Sequence, residues 1–422
     1  MKREHDLVII GGGPAGLAAA VSAYDAGVDD ILLLERDEYL GGILPQCIHS
    51  GFGVEYFGQE LTGPEYAERF IGELEERDIR AELDTMVIDI DEDRTITALN
   101  DRDGVITIDA EAVILAMGCR ERTRESIKIP GNRPAGILTA GTAQRYINIE
   151  GYLPGREVVI LGSGDVGLIM ARHFELEGAD VKAVLELMPY SSGLVRNKVQ
   201  CLDDFNIPLK FQHTVSYIHG KDRVEAVDVV QVDDDFNVIP DSVETVSCDT
   251  LLLSVGLIPE NELSKEMGIT LRDDTDGPDV NEVRETEKEG VFACGNVLQV
   301  HDLVDHVSEE AEVAGRAAAS YLQGNLERRR QSIEIESGSG INYVLPGRLT
   351  YEPGDSDILK LYFRVKSPLE NASILVTDGE GERIASYSRK VVTPGEMETV
   401  KLPYQLLKDD MSEIRVGLDY SQ

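Results

Sequence analysis

The sequence predicts an α/β fold with two doubly wound units, the second inserted in the first, followed by an all-β region. An apolar strand, a glycine-rich turn, a helix and a second strand ending in glutamate occur in this order twice. In both copies the first glycine and the glutamate are 24 positions apart. The region after residue 340 instead alternates apolar and polar residues with period two, which favours strands.

Length and composition fit a folded protein of more than one domain. At roughly 100 to 200 residues per domain, 422 residues suggest two to four domains. Apolar residues make up 42% of the chain and charged residues 28%, and there are 40 glycines. These values exclude disordered, collagen-like and disulfide-scaffold proteins.

The charge balance is strongly acidic. The 78 acidic and 40 basic side chains give a net charge of -38, so we expect no binding to nucleic acid or to anionic membranes. Only 13 of the 40 basic residues are lysines, a balance that resembles proteins adapted to concentrated salt. An ordinary acidic cytosolic protein is the equal alternative.

Apolar runs and cysteines point to a cytoplasmic protein without disulfides. No apolar run reaches the roughly 20 residues that a membrane span needs, and Leu7–Ile10 is too short for a signal-peptide core. The five cysteines form no close pair, so we expect reduced thiols and no metal site.

The first copy of the repeat begins at Leu7 and the second at Val158. The strands and turns of the first copy are Leu7–Gly16, Ile31–Glu35 and Ala112–Gly118. Those of the second copy are Val158–Gly167, Val181–Glu186 and Thr250–Gly256. A further strand and turn at Gly290–Asn296, and an alanine-rich helix from about Val307 to Leu322, return to the first unit.

These elements set the predicted domain boundaries. The first domain comprises residues 1–122 and 258–327, and the inserted domain comprises 123–257. Three arginines followed by Ser-Gly-Ser-Gly make 328–340 a predicted linker. Residues 341–422 are predicted to form a small β-sandwich-like domain, with interaction or packing as its default role.

The two glycine turns indicate Rossmann-like dinucleotide binding. In such a turn the first glycine permits a tight bend, the second lets the backbone approach a pyrophosphate, and the third lets the helix pack on the strand. Glu35 and Glu186 would each accept hydrogen bonds from a ribose diol. A carboxylate also repels a ribose 2′-phosphate, so we expect the second site to prefer NAD to NADP.

Residues 1 to about 325 resemble the pyridine nucleotide–disulfide oxidoreductases, flavoproteins with two dinucleotide-binding domains. The resemblance rests on Gly11–Gly16, Gly162–Gly167, Ala116–Gly118 and Val291–Asn296. It implies FAD at the first site and NAD at the second. Three further segments resemble a branch that accompanies glycerol-3-phosphate dehydrogenase-like flavoproteins, which implies that the partner is a second flavoprotein dehydrogenase subunit: Pro45–Gly53, Met117–Arg122 and Gly141–Gly151.

The sequence departs from that family at two places. The family's disulfide reductases carry two cysteines a few residues apart beside the flavin, whereas the equivalent stretch here has only Cys47. Turnover of a thioredoxin-like disulfide is therefore not expected. Asn296 stands where the family has an aspartate that binds the flavin ribityl chain, and an amide can still hydrogen-bond that hydroxyl.

Cys47 and His49 are the candidate catalytic residues, because the resemblance places them beside the isoalloxazine ring. Cys47 would act as a thiolate or sulfenic acid, and its alternative is a small side chain packed under the ring. His49 would be a general acid or base, and its alternative is a structural histidine. Asp302 and Asp305 flank the start of the alanine-rich helix, where we expect them to cap it.

The predicted activity is electron transfer between NAD(H) and bound FAD, as a subunit of a small-molecule dehydrogenase complex and in an oligomer. The alternatives are a stand-alone NADH oxidase or peroxidase that uses Cys47, and a non-enzymatic flavin redox sensor or scaffold. The predicted cofactor-binding residues are Gly11, Gly13, Pro14, Ala15, Gly16, Glu35, Arg36, Gly42, Val87, Ala116, Gly118, Gly162, Gly164, Asp165, Val166, Gly167, Glu186, Gly256, Gly295 and Asn296.

Overall fold

The computed structural model describes residues 2–352, 358–408 and 410–419. The chain divides into two compact units, one made of Met1–Cys119 with Pro259–Gln422 and the other of Arg120–Ile258. We call them the outer unit and the inner unit. The C-terminal region, for which the sequence predicts a separate domain, is part of the outer unit.

The elements of both units are numbered in chain order. The helices are α1 (Pro14–Asp25), α2 (Gly63–Glu76), α3 (Arg124–Ile127), α4 (Ala140–Asn148), α5 (Asp165–Leu176), α6 (Val195–Cys201), α7 (Glu262–Glu266) and α8 (Val304–Leu322). The strands up to the middle of the inner unit are β1 (Lys2–Ile10), β2 (Ile31–Leu34), β3 (Ser50–Phe52), β4 (Leu61–Thr62), β5 (Arg80–Glu82), β6 (Met86–Ile90), β7 (Thr95–Asn100), β8 (Gly104–Leu115), β9 (Cys119–Glu121), β10 (Ile137–Thr139), β11 (Glu157–Leu161), β12 (Asp180–Glu186) and β13 (Leu209–Phe211). The remaining strands are β14 (His213–His219), β15 (Ala226–Gln231), β16 (Glu244–Ser247), β17 (Thr250–Leu253), β18 (Leu257–Pro259), β19 (Val291–Ala293), β20 (Arg328–Ser337), β21 (Ile341–Leu345), β22 (Arg348–Tyr351), β23 (Ile358–Val365), β24 (Leu369–Asp378), β25 (Arg383–Val392), β26 (Glu398–Pro403) and β27 (Glu413–Asp419).

A seven-stranded sheet forms the centre of the outer unit. Its order is β5-β2-β1-β8-β7-β6, with β19 also paired to β8. The pairs among β5, β2, β1, β8 and β19 are parallel, whereas β6, β7 and β8 form an antiparallel meander. Because helices cover the parallel part, its strands are apolar on both faces. Leu7 and Ile9 enter the core beneath α1 and α8, while Val8 and Ile10 enter the core on the other face.

The inner unit repeats this arrangement on a smaller scale. Its five-stranded parallel sheet has the order β10-β17-β11-β12-β13, and a separate antiparallel sheet contains β14, β15 and β16. Val158 and Ile160 pack into the core beneath α5, while Val159 and Leu161 pack into the core on the opposite face. The shared pattern explains why one sequence arrangement occurs twice.

The predicted linker at 328–340 is wrong for most of its length, because Arg328–Ser337 forms strand β20. Ile333 and Ile335 are buried in the core of the C-terminal strands, so the segment has the alternation of a half-buried strand despite its arginines and serines. Strand β20 pairs with β22 and β27 in a five-stranded sheet. The short turn after β20 leads into β21.

The C-terminal strands pack on the rest of the outer unit as well as on each other. The five-stranded sheet β22-β20-β27-β24-β25 and the three-stranded sheet β21-β23-β26 enclose a core that includes Phe363. Tyr343 and Leu345 of β21 instead join the core that contains Val8 and Leu32 of the large sheet. This shared core is why the C-terminal strands do not form a separate compact unit.

None of the helices in the described ranges is both long and apolar enough to cross a membrane.

Candidate functional site

The first glycine turn joins β1 to α1 at the carboxyl edge of the large sheet. Gly11 has φ of 109°, and a Cβ there would lie 2.4 Å from the Ala116 carbonyl oxygen. A side chain is therefore excluded for both conformational and steric reasons. At Gly13 the nearest atom to an added Cβ would be the Gly42 Cα at 3.8 Å, which leaves the backbone accessible. The turn thus combines tight packing with an open approach, as a pyrophosphate site requires.

Glu35 lies next to this turn, at the end of β2. Its side chain is buried, and one carboxylate oxygen accepts a hydrogen bond from the Gly12 backbone N–H at 2.7 Å. The other oxygen accepts from the Asp37 N–H at 2.8 Å. A carboxylate has about four acceptor positions, so it keeps capacity for ribose hydroxyls. The adjacent Arg36 is exposed.

Two further glycines approach the first turn from other parts of the outer unit. Gly42 has φ of 57°, and a Cβ on it would lie 3.0 Å from the Gly13 Cα. A Cβ on Gly295 would lie 2.7 Å from the Cβ of Ala15 in α1. Segments that are far apart in sequence therefore meet at one place, and side chains larger than glycine would obstruct that place.

The second glycine turn, between β11 and α5, is built in the same way. Gly162 has φ of 101°, and an added Cβ would lie 1.9 Å from the Ser254 carbonyl oxygen. The buried Glu186 accepts from the Ser163 N–H at 3.0 Å, from the Ser163 hydroxyl at 2.5 Å and from the Met188 N–H at 3.0 Å.

Ser163 is a site residue that the sequence analysis missed. It occupies the position of Gly12 in the first copy, and aligning the two copies would have identified it.

Asp165 holds a loop next to the second turn. Its Oδ1 atom accepts from the Leu194 N–H at 2.8 Å and from the Asn197 side-chain amide at 2.7 Å. Ser192 contacts the same turn, because its backbone N–H donates to the Ser163 hydroxyl at 3.0 Å. The segment after β12 is thus fixed against the glycine turn, a role for Asp165 that the sequence pattern does not reveal.

The remaining predicted cofactor residues occupy more varied positions. Pro14 is the first residue of α1, Gly16 follows in its first turn, and Val166 and Gly167 lie in the first turn of α5. An added Cβ on Gly164 would have the Ser254 hydroxyl as its nearest atom, at 3.6 Å. Gly118 and Gly256 follow the ends of β8 and β17.

Val87 lies in β6 rather than in a turn. It pairs with Ala98 of β7, and its side chain packs against the core beneath the large sheet. Its place in a cofactor site therefore stays a prediction.

Asn296 lies just after β19, which pairs with β8. Its Oδ1 atom accepts from the His301 backbone N–H at 3.0 Å, and its Nδ2 atom lies 3.5 Å from the Cys119 sulfur. The bond from His301 fixes the amide orientation, since only the oxygen can accept from an N–H.

Cys47 and His49 follow a short 3₁₀ turn at Leu44–Gln46. The Cys47 thiol donates to the Ile43 carbonyl oxygen at 3.4 Å, and burial raises the pKa of this thiol to about 12. The thiolate that redox chemistry at Cys47 needs is therefore disfavoured near neutral pH. The His49 Nδ1 atom is 3.2 Å from the Ser50 carbonyl oxygen, and its ring centroid is 5.0 Å from that of Phe52.

The predicted capping of α8 by Asp302 and Asp305 is wrong. Helix α8 begins at Val304 without a side-chain cap. Asp305 instead accepts from the backbone N–H groups of Gly53 and Tyr56, and Asp302 bonds to Arg364 and Met397. Both carboxylates hold other segments of the chain, which offer them backbone and guanidinium donors that a sequence pattern cannot show.

Both turns fit the cofactors that the sequence predicts. Each presents an accessible second glycine, the N-terminus of a 12-residue helix, and a buried carboxylate at the end of the neighbouring strand. Helix N-termini favour phosphates through their free N–H groups and dipole, and the carboxylate suits a ribose diol. Gly11–Gly16 with Glu35 would hold FAD, and Gly162–Gly167 with Glu186 would hold NAD(P)H.

Comparison with known proteins gives the family. Residues 5–318 match the family model described as pyridine nucleotide-disulphide oxidoreductase. The hydrogen cyanide synthase subunit HcnB of Pseudomonas protegens is 26% identical over 74% of this chain and 69% of its own length. An opine oxidase subunit from Agrobacterium tumefaciens is 25% identical over 75% and 64%, respectively. For the CoA-dependent NAD(P)H sulfur oxidoreductase of Pyrococcus abyssi the values are 25%, 72% and 65%. The chain thus spans about two thirds of the length of these relatives.

Solved structures show the same fold. The thioredoxin reductase of T. acidophilum has a TM-score of 0.62 at 23% identity, covering 75% of this chain and 98% of that chain. A NAD-dependent persulfide reductase from A. fulgidus has a TM-score of 0.58 at 17% identity, covering 90% of this chain and 68% of that chain.

The family match spans both glycine turns, both buried glutamates and the Asn296 turn. Enzymes of this family use FAD together with NAD(P)H. The chain belongs to the pyridine nucleotide-disulphide oxidoreductase family and is an FAD-dependent NAD(P)H oxidoreductase.

Proposed function

We propose that the chain transfers electrons between NAD(H) and bound FAD as one subunit of a small-molecule dehydrogenase complex. The observation that carries the proposal is the duplicated cradle. In each unit a buried glutamate at the end of the second strand accepts a hydrogen bond from the middle residue of a glycine turn. We assign FAD to the outer unit and NAD to the inner unit.

The chain's residues bind and orient, while the two cofactors supply the hydride chemistry when bound. The N–H groups at the start of α1 and α5 hold pyrophosphates, and Glu35 and Glu186 hold the adjacent riboses. His49 remains the candidate for moving a proton, since an imidazole exchanges protons near neutral pH.

The inner unit is expected to prefer NADH to NADPH. Glu186 is buried and acidic, and residues 187–195 contain no lysine or arginine that would pair with a 2′-phosphate. An NADPH phosphate would therefore lie near a carboxylate without a cationic partner, which costs binding free energy.

Two observations favour membership of a complex over a disulfide reductase. No two of the five cysteines are close in sequence, and all five are free thiols in the structure. Two of the relatives, HcnB and the opine oxidase protein, are named as subunits. The proposed partner is a second flavoprotein, of the glycerol-3-phosphate dehydrogenase-like kind, that oxidises a small hydroxy acid, an amino acid or a polyol phosphate.

The two alternatives have less support. A stand-alone oxidase or peroxidase based on Cys47 needs a reactive thiolate, and burial raises the pKa of that thiol to about 12. A redox sensor or scaffold would not need two cofactor cradles of matched construction.

Two experiments test the proposal. The purified FAD-loaded chain should reduce ferricyanide with NADH at least about tenfold more efficiently than with NADPH, and no reduction with either nucleotide would overturn the electron-transfer role. Affinity purification from the native cells should yield a second flavin-containing polypeptide in stoichiometric amount. Full turnover of a substrate by the lone chain would overturn the role within a complex.

A further inference from the structure

The turn between β19 and α8, residues Gly295–Asp302, carries Asn296. Gly295 lies against Ala15 of the first glycine turn, and the Asn296 amide lies near the Cys119 sulfur. This turn, which we call the Asn296 turn, is held from two sides by groups that the family pattern does not assign.

On one side the fully buried Glu310 of α8 accepts four hydrogen bonds. Its Oε2 atom accepts from the Gly295 N–H at 3.1 Å and from the His301 imidazole Nε2 at 2.9 Å. Its Oε1 atom accepts from Arg284 at 3.0 Å and from the Gln299 amide at 3.2 Å. Three of these four donors belong to the Asn296 turn itself.

The electrostatics of this cluster keep Glu310 ionised. Burial alone would raise the pKa of its carboxyl group. The charges of His301 and Arg284, together with the hydrogen bonds, outweigh that effect and lower the pKa to about 2. A buried carboxylate that satisfies four donors is costly to replace, because a neutral side chain leaves some donors unpaired.

On the other side the C-terminal strands hold the end of the turn. Arg364 of β23 donates to the Val300 carbonyl oxygen at 3.1 Å and also to a carboxylate oxygen of Asp302. The Met397 N–H donates to the other Asp302 oxygen at 2.6 Å. Tyr362 of β23 lies over Arg284, with the guanidinium carbon 5.6 Å from the ring centroid. The C-terminal strands therefore contact both the turn and the Glu310 cluster.

The orientation of Asn296 follows from this support. Because Oδ1 accepts from the His301 N–H, Nδ2 is the group that the side chain presents in the direction of Cys119. An amide nitrogen only donates hydrogen bonds, whereas the aspartate expected at this position would only accept them.

We propose that Glu310 and Arg364 are positioning residues that hold the Asn296 turn against the FAD cradle, so that the C-terminal strands serve the flavin site. The proposal rests on FAD binding to the outer unit. It assigns a role to the C-terminal strands, and it makes Asn296 a neutral hydrogen-bond donor toward the cofactor.

Glu310→Gln tests the cluster. Glutamine has one accepting oxygen for four donors, and Arg284 loses its counter-charge. The dissociation constant for FAD should rise at least about tenfold, and the flavin midpoint potential should rise, since an uncompensated positive charge stabilises the more negative reduced form. Glu282→Gln is the matched control. Glu282 is also buried and also binds the C-terminal strands, through the Thr350 and Tyr351 N–H groups. This control should leave the midpoint potential at the wild-type value.

Two further variants decide the matter if Glu310→Gln does not fold. Asn296→Asp keeps an acceptor for the His301 N–H but adds a negative charge, so the midpoint potential should fall, opposite to the effect of Glu310→Gln. Arg364→Met should weaken FAD binding at least about tenfold. Its control is Arg389→Met, because Arg389 pairs with Glu398 and Thr399 within the C-terminal strands.

The outcomes separate this inference from the proposed function. A wild-type protein that binds no FAD would overturn the proposed function. A wild-type protein that binds FAD, with variants at Glu310, Asn296 and Arg364 that match it in dissociation constant and midpoint potential, would overturn only the positioning role. An equal potential shift in Glu282→Gln would also overturn it, since the effect would then be a general loss of stability.

Discussion

Glu35 and Glu186 occupy equivalent positions in the two units, and each is bonded to the backbone of its own glycine turn. This contact holds the carboxylate beside the place where a ribose would lie. Hydrogen bonds to a charged group contribute about 1.5–3 kcal/mol, so the loss of one is measurable as a change in affinity.

Glu186→Gln should raise the KM for NADH by about tenfold or more, because it removes the charge that accepts the ribose hydroxyls. The same variant should narrow the preference for NADH over NADPH. Steady-state dye reduction with both nucleotides measures the two effects. Glu175→Gln is the control, because Glu175 bonds to the Val181 N–H away from the turn. Equal KM values for the two variants would contradict the assignment of Glu186.

Cys47→Ser should leave NADH-dependent dye reduction within about twofold of the wild-type rate. The physical reason is that burial raises the pKa of the Cys47 thiol to about 12, so the side chain is a neutral thiol at working pH. Initial rates between pH 6 and 9 check this expectation. A loss of activity on substitution would restore the oxidase or peroxidase interpretation.

At this scale the sequence predicts well whatever depends on local spacing. The glycines and the two glutamates follow from the repeat, since turn geometry and strand length fix their separation. Asp302, Asp305 and Glu310 could not be placed, because their partners are distant in sequence and include backbone N–H groups.

Among the elements, the strands after residue 327 differ most from expectation. A run of arginines and a Ser-Gly repeat predict a linker, yet Ile333 and Ile335 place β20 in a sheet. Tyr343 and Leu345 pack into the core of the large sheet. The two α/β units were predictable because their apolar strands are long and repeated, whereas this packing depends on contacts between remote segments.

Ending the chain at residue 327 should therefore lower the unfolding temperature of the outer unit by about 10 °C or more. The truncation exposes the core that Tyr343 and Leu345 cover, and burial of two such side chains contributes about 3–6 kcal/mol. Thermal unfolding followed by circular dichroism measures the change. A truncated protein as stable as the full chain would show that the C-terminal strands are an independent appendage.

Glu310 and Glu282 should respond to acid in opposite directions. The lowered pKa of Glu310, about 2 against 4.5, stabilises the fold above about pH 4.5, and this contribution is lost as the pH falls toward 2. Burial raises the pKa of Glu282 despite its backbone hydrogen bonds, so its protonation is favoured in the folded state.

Urea unfolding between pH 5.5 and 3 tests this contrast. The stability difference between wild type and Glu310→Gln should shrink as the pH falls, whereas the difference for Glu282→Gln should not shrink. Parallel pH profiles for the two variants would contradict the described electrostatics of Glu310.

For the whole molecule the net charge of -38 is the dominant property. Like charges destabilise a compact state, and dissolved salt screens them over about 10 Å at 0.1 M and about 3 Å at 1 M. The unfolding temperature should therefore be higher in 2 M potassium chloride than in dilute buffer. A temperature that is unchanged or lower in salt would favour the ordinary acidic cytosolic protein over one adapted to concentrated salt.

The central claim is that two matched cradles serve one electron-transfer reaction, with FAD in the outer unit and NAD in the inner unit. Anaerobic titration of the FAD-loaded protein with NADH, followed by flavin absorbance, tests it most directly. We predict that about one equivalent of NADH bleaches the flavin and that NADPH bleaches it far less efficiently. A flavin that stays oxidised with both nucleotides, or a protein that remains colourless after reconstitution with FAD, would contradict the claim.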